Sequence, residues 1–340
     1  MSSNHTQTKK VKFLYEGNYS CVYHPSPLCT RKIDHIKRVN KPTVGKIMRP
    51  VDSLNEWSHA KELYKLDPKQ NYFIYPYELC EVIPTVDSHK CHLVRKDQKV
   101  NMLTIPYANT NILHYFLKKK NPVSLNSFIP KLYHLLEGLS KLHKIGLIHQ
   151  DIKVNNILEK DTTFKYIDFG ISMKKKEIFD IERNAIYLNA DYMIHPPEYR
   201  YFSRYYYISK KIETIDMFVD NEWYLLHYII GENKVRNIDL YKKFYNYDDY
   251  KKHISDMFDV LKSKTKLQII KSFTDQVNKI DIYSLGMVLL HIHPYLQMDK
   301  TSILAKSYIT LLTNMINPNI FERYDTSDCI NLIKQMIKLV

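Results

Sequence analysis

Glycine is scarce in this chain, with 7 residues in 340, so its loops must be shaped mainly by Asn, Asp and the 14 prolines. Long apolar runs are also missing. No stretch approaches the ~20 residues that cross a bilayer, and no membrane span is expected. The polar, basic segment Met1 to Lys12 lacks the apolar core of a signal peptide. Cysteine is sparse as well. Cys21, Cys29, Cys80, Cys91 and Cys329 are scattered, odd in number and without metal-ligand spacing. They read as reduced thiols in a cytoplasmic compartment. Repeats and low-complexity segments are absent.

What remains is an ordinary soluble composition, 44% hydrophobic and 25% charged, long enough for one large domain or two modest ones. Net charge is +14, which favours acidic partners in general. Nothing beyond that charge indicates nucleic acid, because no short basic run alternates with aromatics.

The pattern along the chain changes period once. Lys12–Tyr15, Cys21–Tyr23, Val44–Met48, Cys91–Val94 and Met102–Ile105 read as short strands, with a helix over 52–66 capped by Ser53. From Ser124 onward apolar residues follow the helical repeat: Leu125, Phe128, Ile129, Leu132, Leu135, Leu136, Leu139 and Leu142. Ser124 or Ser127 caps this helix, Pro130 lies near its first turn, and Gly146 ends it. The segment 282–292 is apolar nearly all round, as a buried helix should be. Strands followed by helices predict an α+β chain, with a nucleotide at the junction of two lobes.

Chemistry concentrates just after Gly146. His149-Gln150-Asp151-Ile152-Lys153-Val154-Asn155-Asn156 puts a carboxylate, a cation and an amide in one loop, and Asp168-Phe169-Gly170 follows a short apolar hairpin. Phosphoryl transfer needs such parts: a carboxylate at the attacking hydroxyl, a cation for the moving phosphoryl group, and oxygen ligands for Mg²⁺. The two motifs together resemble the catalytic loop and metal-binding motif of eukaryotic-type Ser/Thr protein kinases. The composition further suits the diverged protein kinases of giant (mimivirus-like) DNA viruses, in host cytoplasm or virion.

The resemblance implies a bilobal kinase-like fold. A flexible tail (1–10) precedes a small β-rich N-lobe (11–106) and a larger helical C-lobe (107–340). It also implies ATP and Mg²⁺ as cofactors and a protein substrate. Asp151 would orient the substrate hydroxyl, Lys153 would stabilise the transferring group, and Asn156 and Asp168 would hold the metal. Gly17 would sit in the loop over the phosphates and Val22 against the adenine. Lys46 would contact the phosphates, paired with Glu56 or, alternatively, Glu62. The Pro106 carbonyl and Ala108 N–H would hold the adenine edge, beside Ile105. Asp281 would support the catalytic loop, and Arg323 would pair with Glu198 of Pro196-Pro197-Glu198.

Departures accompany the match. Tyr15 and Ser20 stand where the family has glycines. Gln150 replaces the Arg that anchors an activation-loop phosphate, and between Gly170 and Pro196 only Ser172 carries a Ser/Thr hydroxyl. Activity is therefore expected to be independent of activation-loop phosphorylation. Residues 199–274 form an insertion, read as a helical elaboration of the large lobe and alternatively as a docking site for a partner protein. A pseudokinase scaffold is the competing function. A small-molecule kinase is disfavoured, because the Glu198/Arg323 pair organises a protein-substrate region.

Overall fold

The computed structural model describes residues 11–17, 19–37, 42–83, 91–92, 99–179, 195–203, 214–226 and 237–340. The chain divides into two compact units. One comprises the residues up to Asn109 together with Ile167–Gly170; the other comprises Thr110–Tyr166 and Ile171–Val340.

The first unit is built on a six-stranded sheet. Its strands are β1 (Lys12–Glu16), β2 (Ser20–His24), β3 (Arg31–His35), β4 (Thr43–Met48), β5 (Glu78–Val82) and β6 (Val100–Pro106). They run antiparallel in the order β1-β2-β4-β6-β5-β3. Register places Val22 opposite Lys46, and Lys46 opposite Leu103. Directly opposed residues share a face, and side chains alternate along each strand. Val22, Val44, Lys46, Leu103 and Ile105 therefore line one side of the sheet. Gly45 points to the other, where a Cβ would lie 2.5 Å from Met102 Sδ and 2.7 Å from Pro27 Cδ. Only glycine fits there.

That opposite side holds an apolar core of Cys21, Tyr23, Ile47, Cys80, Val82, Cys91, Val100 and Met102. Here the structure overturns the expectation of free thiols. Cys21 is disulfide-bonded to Cys91, and Cys29 to Cys80, leaving Cys329 as the buried free cysteine. Sequence separations of 70 and 51 hide these pairs until the sheet brings them together. Cys91 and His92 lie outside any strand, and Leu93 and Val94, assigned with them to a strand, fall outside the described residues.

Helix α1 (Pro50–Leu66) starts earlier than expected because Pro50 takes the first position, where its missing N–H costs nothing. Ser53 is consequently not the cap. It is buried, its hydroxyl donates to the Pro50 carbonyl, and it accepts from Asn101 Nδ2.

The second unit is mainly helical. Helix α2 (Ile112–Leu117) is capped by Asn111, and α3 (Leu125–Lys144) by Ser124, which accepts from the Ser127 N–H. Pro130 lies in the second turn of α3, not the first. Gly146, with φ +68°, closes that helix in the left-handed conformation. The antiparallel pair β10 (Ile157–Lys160) and β11 (Thr163–Tyr166) turns through Asp161 and Thr162, both at positive φ (52° and 65°).

Further on, α4 (Pro197–Ser203), α5 (Ile215–Leu225), α6 (Asn237–Tyr241), α7 (Tyr247–Leu261) and α8 (Lys266–Gln276) lead to α9 (Asn278–Ile292). In α9 every residue but Asn278 and His291 is buried. Two more helices, α10 (Ile303–Met315) and α11 (Thr326–Ile337), complete the unit.

Helices α5 to α8 are knit into this unit rather than appended to it. Arg200 and Glu222 form a buried ion pair, with Nε to Oε2 at 2.6 Å. The Tyr241 hydroxyl donates to the Ile316 carbonyl at 2.8 Å, and that of Tyr245 to Thr313 at 3.0 Å. Of the apolar stripe Ile254, Met257, Phe258 and Leu261 on α7, Phe258 is half-buried and the other three are buried.

Candidate active site

In the first unit the site is organised around Lys46. This residue is buried, and its ammonium lies 2.7 Å from Glu56 Oε2 and 2.7 Å from Asp168 Oδ1. Glu56, not Glu62, is thus the partner on α1. Burial opposes the charge on Lys46, but attraction to Asp168 and Glu56 outweighs it and raises the lysine pKa. Lys46 is therefore a permanent cation at neutral pH. Burial pushes the Glu56 carboxyl up while Lys46 pulls it back, so a missing lysine would leave that acid unsupported.

One face of α1 holds Asp168-Phe169-Gly170. Asn55 Nδ2 donates to the Gly170 carbonyl at 2.8 Å, and the His59 ring to the Phe169 carbonyl at 2.9 Å. Phe169 is buried edge-on against Phe73, with centroids 5.7 Å apart. Asp168 itself has φ +64°, a left-handed conformation that a non-glycine residue holds only when its surroundings enforce it.

The strands flanking Lys46 carry the remaining residues of this group. Gly17 lies in the β1–β2 turn, where its N–H donates to the Ser20 carbonyl at 2.8 Å. Val22, Val44 and Ile105 are half-buried on the Lys46 face. Pro106 ends β6, and Ala108 follows, half-buried. Tyr15, at a family glycine position, is 61% exposed, and its ring lies beside Gly17, where a Cβ would stand 3.3 Å from Tyr15 Cε1.

In the second unit the candidate residues of the 149–156 loop form their own network. Asp151 Oδ2 accepts from Lys153 Nζ at 2.9 Å and from Asn156 Nδ2 at 2.7 Å. Asn156 Nδ2 also donates to the Asp151 carbonyl at 2.9 Å. Both amide hydrogens are thereby committed, and Oδ1 is the atom that Asn156 can offer a cation.

The loop backbone is fixed from below by Asp281 at the start of α9. Its carboxylate accepts the N–H groups of His149 and Gln150 at 2.9 and 3.0 Å, and Nε2 of His143 at 3.0 Å. Burial alone would raise its pKa, but these hydrogen bonds and the nearby histidines hold it below the ordinary carboxylate value.

Gln150 has φ +64° and is buried. Its Nε2 donates to the Ile171 carbonyl at 2.9 Å, its Oε1 accepts from the Tyr199 hydroxyl at 2.9 Å, and its carbonyl accepts from His195 Nε2 at 2.9 Å. A neutral latch therefore stands where an Arg was expected. Burial drives the His195 pKa down to about 4, against the opposing hydrogen bond to Gln150, so its ring is neutral at pH 7. Arg323 embraces Glu198, with Nη1 to Oε1 at 2.7 Å and Nη2 to Oε2 at 3.0 Å, both side chains fully buried.

All ten candidate site residues thus fall into two groups. Gly17, Val22, Lys46, Glu56, Pro106, Ala108 and Asp168 belong to the first unit, and Asp151, Lys153 and Asn156 to the second. Asn55, His59, His143, His195 and Tyr199 were not foreseen. The spacing of Asn55, Glu56 and His59 along one helical face was the available signal for the first two.

Comparison with known proteins agrees with this geometry. The family model of the protein kinase domain matches residues 8–199, more than half of the chain. Curated relatives include the MAPK/MAK/MRK overlapping kinase of Mus musculus, 31% identical over 167 residues, covering 48% of this chain and 31% of that protein. Serine/threonine-protein kinase PLK4 of Xenopus laevis is 22% identical over 177 residues, covering 49% of this chain and 16% of that protein. The probable serine/threonine-protein kinase fnkB of Dictyostelium discoideum is 28% identical over 98 residues, 28% of this chain and 18% of that protein. The chain spans no more than about a third of the length of these relatives. With a family match of this extent, the chain belongs to the protein kinase domain family.

Proposed function

We propose that the chain transfers the γ-phosphoryl group of ATP, in the presence of Mg²⁺, to Ser/Thr hydroxyls of proteins. The observation that carries this reading is the Asp151 carboxylate held by both Lys153 and Asn156. A carboxylate so restrained orients an incoming hydroxyl and receives its proton as the oxygen attacks. Lys153, bonded to the same carboxylate, would stabilise the charge that develops on the transferring group. Lys46, kept cationic by its two acids, binds nucleotide phosphates, with Gly17 in the covering turn. Val22, Val44 and Ile105 offer an apolar shelf for the adenine, and the Pro106 carbonyl and Ala108 N–H its edge contacts. Asn156 would offer an amide oxygen and Asp168 a carboxylate oxygen, donors of the kind that suit a hard cation such as Mg²⁺, whose charge would offset that of the phosphates.

The latch on Gln150 supports activity that needs no activation-loop phosphate, since neutral hydrogen bonds already tie the catalytic loop to residues 171 and 195–199. A lysine at Lys153 fits Ser/Thr rather than Tyr substrates, and the Glu198–Arg323 pair supports a protein substrate over a small molecule. The competing reading, a nucleotide-binding or interaction scaffold, rests on Tyr15 and Ser20 in the phosphate-covering turn. Transfer of phosphate from Mg²⁺-ATP to Ser/Thr of an acidic and a basic protein separates the two. The enzyme transfers and Asp151→Asn abolishes it; the scaffold binds ATP without transfer.

A further inference from the structure

Around the β1–β2 turn, one feature of the first unit plays no part in the proposed chemistry. The Sγ atoms of Cys21 and Cys91 and a carboxylate oxygen of Glu16 all lie within 4.8 Å of one another. His92 completes the set. Its Nδ1 is 2.9 Å from Glu16 Oε2, and its backbone N–H donates to Glu16 Oε1 at 2.8 Å. Cys21 and Cys91 are buried at 0% and 3% exposure, whereas the His92 ring is exposed. We propose that, once the Cys21–Cys91 disulfide is reduced, these four side chains bind a thiolate-preferring divalent cation of the Zn²⁺ class.

The ligand chemistry is specific. Two thiolates, an imidazole and a carboxylate make a four-coordinate set of the kind zinc takes, with bond lengths near 2.0–2.3 Å. Ligand atoms of such a tetrahedron stand roughly 3.5 Å apart, a spacing comparable to that of the Cys21, Cys91 and Glu16 atoms, and the Glu16 carboxylate holds His92 alongside them. Sulfur ligands disfavour Mg²⁺ and Ca²⁺. The contrast is the other pair, Cys29 and Cys80: among the described residues no third ligand of this kind gathers around it.

Disulfide and metal exclude one another. A dithiol reductant breaks the S–S bond with two electrons, becomes a cyclic disulfide itself, and leaves two thiols on the chain. Metal binding then displaces one proton from each thiol. Either linkage does the same mechanical work. Glu16 ends β1 and Cys21 lies in β2, so both sides of the turn that carries Gly17 are tied to residues 91–92. The site would keep that turn anchored under reducing conditions, when the disulfide no longer can.

The full chain, reduced with a phosphine that does not itself bind metal, would be titrated with Co²⁺ as a spectroscopic probe and then with Zn²⁺. The expected result is one Co²⁺ per chain, with a thiolate-to-metal charge-transfer band that Zn²⁺ bleaches. The oxidised chain shows no band, and Cys29→Ser retains it. Cys21→Ser and Cys91→Ser lose it, and His92→Ala, an exposed position, weakens binding at least ~10-fold. Zn²⁺ also raises the melting temperature of the reduced chain and not of the oxidised one. Absence of the band in the reduced wild-type chain, or its survival in Cys21→Ser or Cys91→Ser, overturns the proposal.

Discussion

Replacing Arg323 by Met tests the buried architecture that carries the catalytic loop. Arg323 donates to both Glu198 oxygens and to the Asn317 carbonyl, and its guanidinium carbon lies 4.8 Å from the centroid of the Tyr283 ring. Methionine fills much of the volume but leaves Glu198 as an uncompensated carboxylate with no exposed surface. Loss of one partner from such a pair costs about 3–5 kcal/mol, a third or more of the stability of a typical domain. With a urea dependence of ~2–3 kcal/mol per molar, the unfolding midpoint should fall by roughly 1–2 M.

The second unit contains Trp223 and the first Trp57. Urea denaturation followed by fluorescence in a Trp57→Phe background therefore reports on the affected unit. The Glu198→Gln/Arg323→Met double variant removes the stranded charge, so its loss should be clearly smaller than the sum of the two single losses. A stability loss below about 1 kcal/mol for Arg323→Met, or strict additivity in the double variant, would refute the assignment of this pair as a buried structural unit.

Acid should weaken the fold through its buried histidines. Burial lowers the pKa of His195 and of His291 from 6.5 to about 4. Between those values the unfolded chain takes up protons that the folded chain refuses. The stabilisation is complete above pH 6.5 and declines as pH falls towards 4, by about 2 kcal/mol per histidine between pH 7 and 5. Denaturation curves at the two pH values should show this loss, and His195→Gln should reduce it. Lys46→Met should weaken ATP affinity at least ~10-fold, or about 1.4 kcal/mol, by equilibrium titration; unchanged affinity would separate Lys46 from the phosphates. Phosphatase treatment of the purified chain should leave phosphotransfer intact, whereas Gln150→Leu, which removes the side-chain bonds to Ile171 and Tyr199, should reduce it; loss of activity on dephosphorylation would reverse that account.

Local signals were legible where a single element carried them. The 3.6-residue stripe and Ser124 cap of α3, the Gly146 stop and the β10–β11 hairpin follow from neighbouring residues, and the structure contains all of them. The resemblance to protein kinases also implied Lys46 with Glu56 or Glu62, Asp281 beneath the loop, and Glu198 with Arg323. Each is a charged residue whose burial demands a partner of opposite charge or a hydrogen-bond donor.

The failures have a common physical origin in tertiary register. Cys21 and Cys91 are 70 residues apart, and nothing in their local sequence says that they face one another. Ser53 resembled a helix cap, but Pro50 had already started the helix and Ser53 was drawn inward to Asn101. Gln150 looked like a lost anchor. Its replacement partners, Tyr199 and His195, become visible only once α4 packs against the loop.

The central claim, that this chain is an active protein Ser/Thr kinase, is tested most directly by phosphoryl transfer from Mg²⁺-ATP to an acidic and a basic protein, by wild type, Asp151→Asn and Asp168→Asn. The account predicts phosphoserine or phosphothreonine with the wild-type chain and its loss in both variants. Mg²⁺-dependent ATP binding by a folded wild-type chain, with no transfer to either protein, would contradict it.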